Sequence, residues 1–199
     1  GRTLLCCGSG ANGFASDTWE WNGVTWMQMT GSPSPRHAHA MTYDDARGVT
    51  VMWGGDDGLL PLRDTWEWNG STWTQVATTG PSARSEHAMA YDSARGRTLL
   101  FGGGDNSTYL GDSWEWSGSA WTQVSASGPL ARREHAIVFD RARGKFVLFG
   151  GRNVGSYFGD MWEFSTSVAA TATTFGAGCG NPALAVSPGG VPKRLVERV

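Results

Sequence analysis

Apolar residues along this chain fall in short runs, and glycine, asparagine or aspartate breaks them every few positions. In 39–43 small and large apolar residues alternate, the form of a strand with one covered face. Thr98-Leu99-Leu100-Phe101 is continuous and apolar, which suits a strand buried on both faces. In 64–68, Trp66 and Trp68 share one face and Glu67 takes the other, because side chains alternate along a strand. Trp73-Thr74-Gln75-Val76 follows the turn Asn69-Gly70. The pattern predicts four short strands in succession.

That unit recurs. Arg36-His37-Ala38-His39-Ala40-Met41, Arg84-Ser85-Glu86-His87-Ala88-Met89 and Arg132-Arg133-Glu134-His135-Ala136-Ile137 lie 48 residues apart without gaps. Each is followed by a Tyr/Phe-Asp-x-Ala-Arg-Gly turn, then an apolar run ending in Gly54-Gly55, Gly102-Gly103 or Gly150-Gly151. Asp-x-Trp-Glu-aromatic comes next, with Trp66, Trp114 and Trp162, and an earlier copy carries Trp19. Four-stranded antiparallel units at a fixed period, marked by glycine and aromatics, are the signature of propeller blades. The paired glycines lack side chains, so neighbouring backbone can approach where the second strand ends.

Composition adds weight. Glycine occurs 29 times and tryptophan 11 times, while charged residues make up only 17%. A buried tryptophan hides about 150–250 Å², so tryptophans stacked between blades are expected to dominate stability. The net charge is −2 and no basic run is longer than the two residues of Arg132-Arg133, which gives no nucleic-acid footprint. No apolar stretch approaches a membrane span. Cys6, Cys7 and Cys179 are an odd set, and neighbours such as Cys6 and Cys7 are expected to stay unbridged.

The order of apolar strand, Gly-Gly, loop, aromatic strand and tryptophan resembles the kelch repeat. The variant with Pro-x-x-Arg-x-x-His-Ala, Tyr-Asp-x-Ala-Arg-Gly and Asp-x-Trp-Glu-Trp is similar to kelch-type propellers of secreted bacterial proteins. The WD40 layout is absent, and the aspartate of a sialidase-type Asp box is replaced here by Trp68. The resemblance implies an all-β propeller over residues 1–170, with blades at 1–30 (partial), 33–77, 81–125 and 129–170. The first copy starts at its second strand, and the last has a poor fourth strand near 169–175. A piece of a six- or seven-bladed ring is expected; a small closed ring and an assembly of two chains stay open. Residues 171–199 read as a linker and the start of a C-terminal β-module or an unstructured tail.

A residue present in every copy is architectural, whereas one that differs between copies is the better functional candidate. His39, His87 and His135 recur, so they are expected to bond backbone near the ring centre rather than a metal. His37 occurs in one copy only and is expected to be solvated. Arg36, Arg84 and Arg132 recur together with Asp64, Asp112 and Asp160, and each arginine is expected to reach a repeated carboxylate. The loops 55–63, 103–111 and 151–159 match in length and differ in content. Asp56, Asp57, Arg63, Asp105, Asn106, Tyr109, Arg152, Asn153 and Tyr157 are therefore the ligand-binding candidates.

No catalytic set, cofactor site or metal site is expected. Galactose oxidase, a copper enzyme with a kelch-like propeller, needs tyrosine, histidine and a cross-linked cysteine. The tyrosines here are repeat-equivalent pairs, Tyr43 with Tyr91 and Tyr109 with Tyr157. The expected function is a non-enzymatic interaction scaffold for a protein or glycan, extracellular or at the cell surface, with self-association if the ring does not close. The alternatives are the propeller of an enzyme whose catalytic residues lie elsewhere, and a purely structural surface repeat.

Overall fold

In the computed structural model the described residues are 1–11, 13–125, 128–166 and 173–177. Among them every regular element is a β-strand. The first sheet orders β1 (Thr3–Gly10), β2 (Gly13–Trp21) and β3 (Trp26–Met29) side by side. The second holds β4 (Ala40–Asp44), β5 (Val49–Trp53), β6 (Thr65–Trp68) and β7 (Trp73–Ala77). The third repeats this with β8 (Ala88–Asp92), β9 (Arg97–Phe101), β10 (Ser113–Trp116) and β11 (Trp121–Ser125). The fourth contains β12 (Ala136–Asp140), β13 (Lys145–Phe149), β16 (Asp160–Phe164) and β17 (Thr173–Ala177). A small hairpin, β14 (Arg152–Asn153) and β15 (Ser156–Tyr157), lies in its long loop.

Local chemistry sets the turns. The Asp92 carboxylate accepts the Ala94 and Arg95 amides, Gly96 donates to the Asp92 carbonyl, and Gly96 takes φ 64°. At the other tight turn the Asn69 side chain accepts the Ser71 and Thr72 amides, each at 2.9 Å.

In the second and third sheets the second strand is the fully buried one: Val51, Met52, Trp53, Leu99, Leu100 and Phe101 have no exposure. Val51, Trp53, Met89, Leu100 and Trp116 pack between the second and third sheets. Ala90, Leu99, Phe101, Ile137, Phe146, Leu148 and Phe164 pack between the third and fourth. Polar bonds cross the same seams. Trp68 Nε1 donates to Glu20 and Trp116 Nε1 to Glu67, both at 3.0 Å. Trp73 donates to Thr18 and Trp121 to Thr65 at 2.9 Å. Each is a bond from one copy to the copy before it, so blade order is written into the indole donors.

Among the described residues nothing covers the outermost faces of this row of blades. Phe149, the counterpart of the fully buried Phe101, is 44% exposed, and Leu5, the counterpart of Leu100, is 52% exposed. At one end of the row's axis Arg141 reaches Asp45 at 2.6 Å, from the fourth sheet to the second.

Two expectations need correcting. The fourth strand of the last sheet is Thr173–Ala177, beyond the 129–170 boundary, pairing with β16 from Asp160↔Ala177 to Glu163↔Thr173. Cys6 and Cys7, expected to stay unbridged, form a vicinal disulfide, at a position where the buried Cys6 ends the regular β1 register. The rest of the expected C-terminal module, with Cys179, lies outside the described residues.

Candidate functional site

Up-and-down strand order sends all three long loops to one end of the sheets. The turns 36–39, 84–87 and 132–135, which lead into the inner strands, reach the same end. Backbone bridges join loop to turn within each blade: His37↔Asp56, Ser85↔Gly104 and Arg133↔Arg152. The tight turns at 45–48 and 69–72 lie at the opposite end.

A buried arginine fixes each of these turns. Arg36, Arg84 and Arg132 are all 0% exposed. Arg36 donates twice to Asp64, at 2.7 and 2.8 Å, and also to the carbonyls of Gly54 and Ser34. Arg84 repeats the set with Asp112, Gly102 and Ser82, and Arg132 with Asp160, Gly150 and Leu130. Burial opposes the charge on Asp64, Asp112 and Asp160. The arginine and the indole N–H two residues on (Trp66, Trp114, Trp162) outweigh it, so all three carboxyls lie below the usual range.

The glycine pairs let the blades close up at this end. A Cβ on Gly54 would lie 2.8 Å from the Arg84 carbonyl oxygen of the next blade and one on Gly102 2.6 Å from that of Arg132, while Gly55 and Gly103 close on His37 and Ser85 of their own blades. Gly54, Gly102, Gly150 and Gly151 also take positive φ. The amides of Gly8, Gly55 and Gly103 donate to the carbonyls of Arg36, Arg84 and Arg132 in the next blade. Such backbone rungs leave no room for a side chain.

The backbone of Cys6, Trp53 and Phe101 lies beside the rings of His39, His87 and His135 in turn. The ring nitrogens of His87 and His135 make no hydrogen bond among the described residues. The rings instead pack edge-on against Trp53 and Phe101, at 5.0 and 5.3 Å between centroids. Burial, with the arginine nearby, lowers the pKa of His39 and His135 to about 4 and that of His87 well below its usual value, so all three are neutral.

The residues that vary between copies surround this frame. Ala38, Glu86 and Glu134 occupy the left-handed region at φ 53°, 58° and 58°. The Glu86 amide donates to the Ala38 carbonyl and the Glu134 amide to that of Glu86, a backbone relay from blade to blade. Arg133 pairs with Glu86 at 2.9 Å and lies over the Tyr109 ring at 4.8 Å. Arg152 holds Glu134, with one contact at 2.7 Å. These pairs drive the Glu134 carboxyl below its ordinary range and Arg152 above its own.

His37 is not solvated as expected. It stacks flat on Phe14 at 4.3 Å, and its Nδ1 lies 3.1 Å from the Asp56 carbonyl oxygen. Phe14 stands where later copies have Pro61, Tyr109 and Tyr157, and His37 where they have Ser85 and Arg133. The stack of Phe14 with His37 and that of Tyr109 with Arg133 are thus one inter-blade contact used twice.

The loop candidates divide by orientation. Asp56 accepts the Gly58 amide, Asp57 those of Leu59 and Leu60, and Asp105 those of Ser107 and Thr108. These carboxylates shape their own loops; the amides of Ser107 and Thr108 bring Asp105 down to about 2. Arg63 donates to the Thr78 carbonyl. Asn106 is exposed, Asn153 is half-buried in β14, and Tyr157 is 88% exposed. Leu59, Leu60 and Val154 are also exposed at the loop tips. Sequence reasoning passed over Glu86, Arg133 and Glu134 because they sit inside the repeated motif. Comparing each motif position across copies finds them, since Ala38 and His37 hold the corresponding places.

Among the described residues no group of three or more histidines, cysteines or acids is placed to hold a metal ion. Among the same residues no helix is long and apolar enough to cross a membrane. A family model described as the KLHDC2/KLHL20/DRC7 Kelch-repeats domain matches residues 12–171. A search of curated proteins returned no match.

Proposed function

This chain belongs to the Kelch-repeat family, and on that premise we propose that it is a non-catalytic scaffold binding a protein partner at its loop-bearing end. The observation that supports this most is the composition of that end. Paired charges, Arg133 with Glu86 and Arg152 with Glu134, lie beside the exposed apolar tips Leu59, Leu60, Val154 and Tyr157. Apolar anchors among oriented charges suit a protein surface. A glycan reading is weaker here, because Arg133 covers a face of Tyr109 and leaves Tyr157 as the freely presented ring. An extracellular or cell-surface setting belongs to the same proposal, and localisation of a tagged full-length parent tests it.

The scaffold reading is tested by proximity capture with two variants. One replaces Leu59, Leu60 and Val154 with serine and Tyr157 with alanine; the other alters the turns 69–72 and 117–120 at the opposite end. The loop variant is expected to lose specific partners at an unchanged melting temperature, and the turn variant to keep them. The reverse outcome would move the binding surface to the other end.

A further inference from the structure

At the loop-bearing end the blades share one backbone frame. His37 bridges to Asp56, Ser85 to Gly104 and Arg133 to Arg152, and inside the loops Asp56 bridges to Pro61 and Gly104 to Tyr109. On this frame the two positions of the inter-blade stack hold Phe14 and His37 in the first seam, Pro61 and Ser85 in the second, and Tyr109 and Arg133 in the third. The first seam is filled by parallel rings, with centroids 4.3 Å apart and planes 4° from parallel. There the Phe14 ring also lies against Gly58, where a Cβ would run into it. The third seam is filled by the Arg133 guanidinium over the Tyr109 ring at 4.8 Å.

The second seam, between the second and third sheets, has neither arrangement. Pro61 and Ser85 stand in place of a ring and its planar partner, and Asn106 stands where Gly58 does. The backbone is held as in the third seam. Arg84 donates to the Leu62 carbonyl and Ser85 to that of Gly104, as Arg132 donates to Leu110 and Arg133 to Arg152. The smaller side chains therefore leave a recess rather than drawing the blades together. Leu59 and Leu60, 82% and 65% exposed, adjoin it in the same loop as Pro61. Both blades that form this seam lie within the described residues.

We propose that this recess is the subsite in which the partner protein seats an indole or phenol ring, an inference that rests on the loop-bearing end being the binding face. The filled seams show that the frame accommodates two planar groups at stacking distance. In the second seam the partner supplies the plane that the chain itself lacks. Pro61 gives the ring a rigid apolar face, and the Leu59-Leu60 tip adds apolar area beside it. The Ser85 hydroxyl and the Asn106 amide offer hydrogen bonds at the same seam. An indole N–H or a phenol O–H uses them, and an aliphatic side chain does not. Tryptophan and tyrosine are also the residues that most often anchor a protein interface.

The test titrates N-acetyl-tryptophanamide into the full, isotope-labelled chain. Saturable amide shifts are expected at Leu60, Ser85 and Asn106. N-acetyl-leucinamide and N-acetyl-argininamide are expected to bind about two- to tenfold more weakly, the worth of one aromatic contact. Pro61→Tyr with Ser85→Arg rebuilds the third seam's pair in the second, and is expected to abolish the shifts while keeping a cooperative melt. The probe series is read on the unaltered chain, so it does not depend on that variant folding. No saturable shift at the three amides, or equal binding of the leucine or arginine probe, overturns the proposal. Partner capture separates it from the scaffold reading. If the filled variant keeps partners that the loop variant loses, the recess is overturned and the scaffold stands. Loss of partners through the opposite end removes the scaffold reading, and this inference with it, even where the tryptophan probe binds.

Discussion

Arg84 shows how one residue carries a blade. Its guanidinium has no exposure and serves Asp112, the Gly102 carbonyl and the Ser82 carbonyl together. Arg84→Met leaves the part-buried Asp112 carboxylate with the Trp114 indole but without its cation, and removes the donor to two carbonyls; it is expected to cost about 3–5 kcal/mol, read as a lower denaturant midpoint. Asp112→Asn in the same chain should recover part of the loss, since the unpaired charge is then gone. An unchanged midpoint for Arg84→Met would show that the pair contributes nothing. The glycines allow a sharper contrast. Gly70 (φ 93°) has open space around its Cβ direction, so Gly70→Ala is expected to cost only the left-handed penalty of about 1–2 kcal/mol. Gly103 (φ 90°) would also drive a Cβ into the Ser85 carbonyl, so Gly103→Ala should cost clearly more. Equal losses at the two sites would remove the close-approach argument.

The histidines set a pH dependence at the same scale. Their folded pKa values lie below the unfolded value near 6.5, so the unfolded chain binds more protons. Stability is therefore complete above about pH 6.5 and declines as pH falls towards 4. The lowered carboxyls of Asp64, Asp112 and Asp160 extend the decline below their ordinary range. His87→Phe is expected to flatten the first part of that decline in melts taken across pH; an unchanged slope would exclude His87 as its source.

At the scale of strands and sheets, the seam is a coupling of indoles to carboxylates. Glu67 accepts both Trp116 from the next blade and Arg47 from its own. At Glu115 Phe164 stands in the indole's place, and Arg95, the counterpart of Arg47, holds the carboxylate without it. A double-mutant cycle of Trp116→Phe and Glu67→Gln is expected to give a coupling of about 1–2 kcal/mol, the scale of a hydrogen bond to a charged group. Additive effects would mean that packing alone holds the seam. Strand identity was legible from apolar runs and turn residues, since Val51 to Trp53 and Leu99 to Phe101 are the continuous buried strands read from sequence. The last strand was legible only roughly, as a poor fourth strand near 169–175, and pairing with β16 sets its bounds at Thr173–Ala177.

For the whole molecule, stability in a stacked array is the sum of unit and interface terms. The second and third sheets have neighbours on both sides, while the first and last keep one apolar face open at Leu5 and Phe149. Native-state hydrogen exchange is expected to be slowest in β5 and β9 and faster in β1 and β13. Uniform protection across the four sheets would instead show a single cooperative unit whose open faces are covered in solution.

The sequence alone determined the all-β class, the period, the four strands per unit, and the pairing of a repeated arginine with a repeated carboxylate. These follow from local periodicity and from the requirement that a recurring charge have a recurring partner. Tertiary structure decided which carboxylate that partner is, Asp64 rather than Glu67 for Arg36, because the choice depends on the path of the loop between strands. It also decided that Asp57 and Asp105 turn into their loops, that His37 stacks on Phe14, and that Glu86, Arg133 and Glu134 meet at one end. Contacts between copies depend on the angle at which one blade meets the next. That angle is set by the volume of every side chain in the seam, which no single motif encodes.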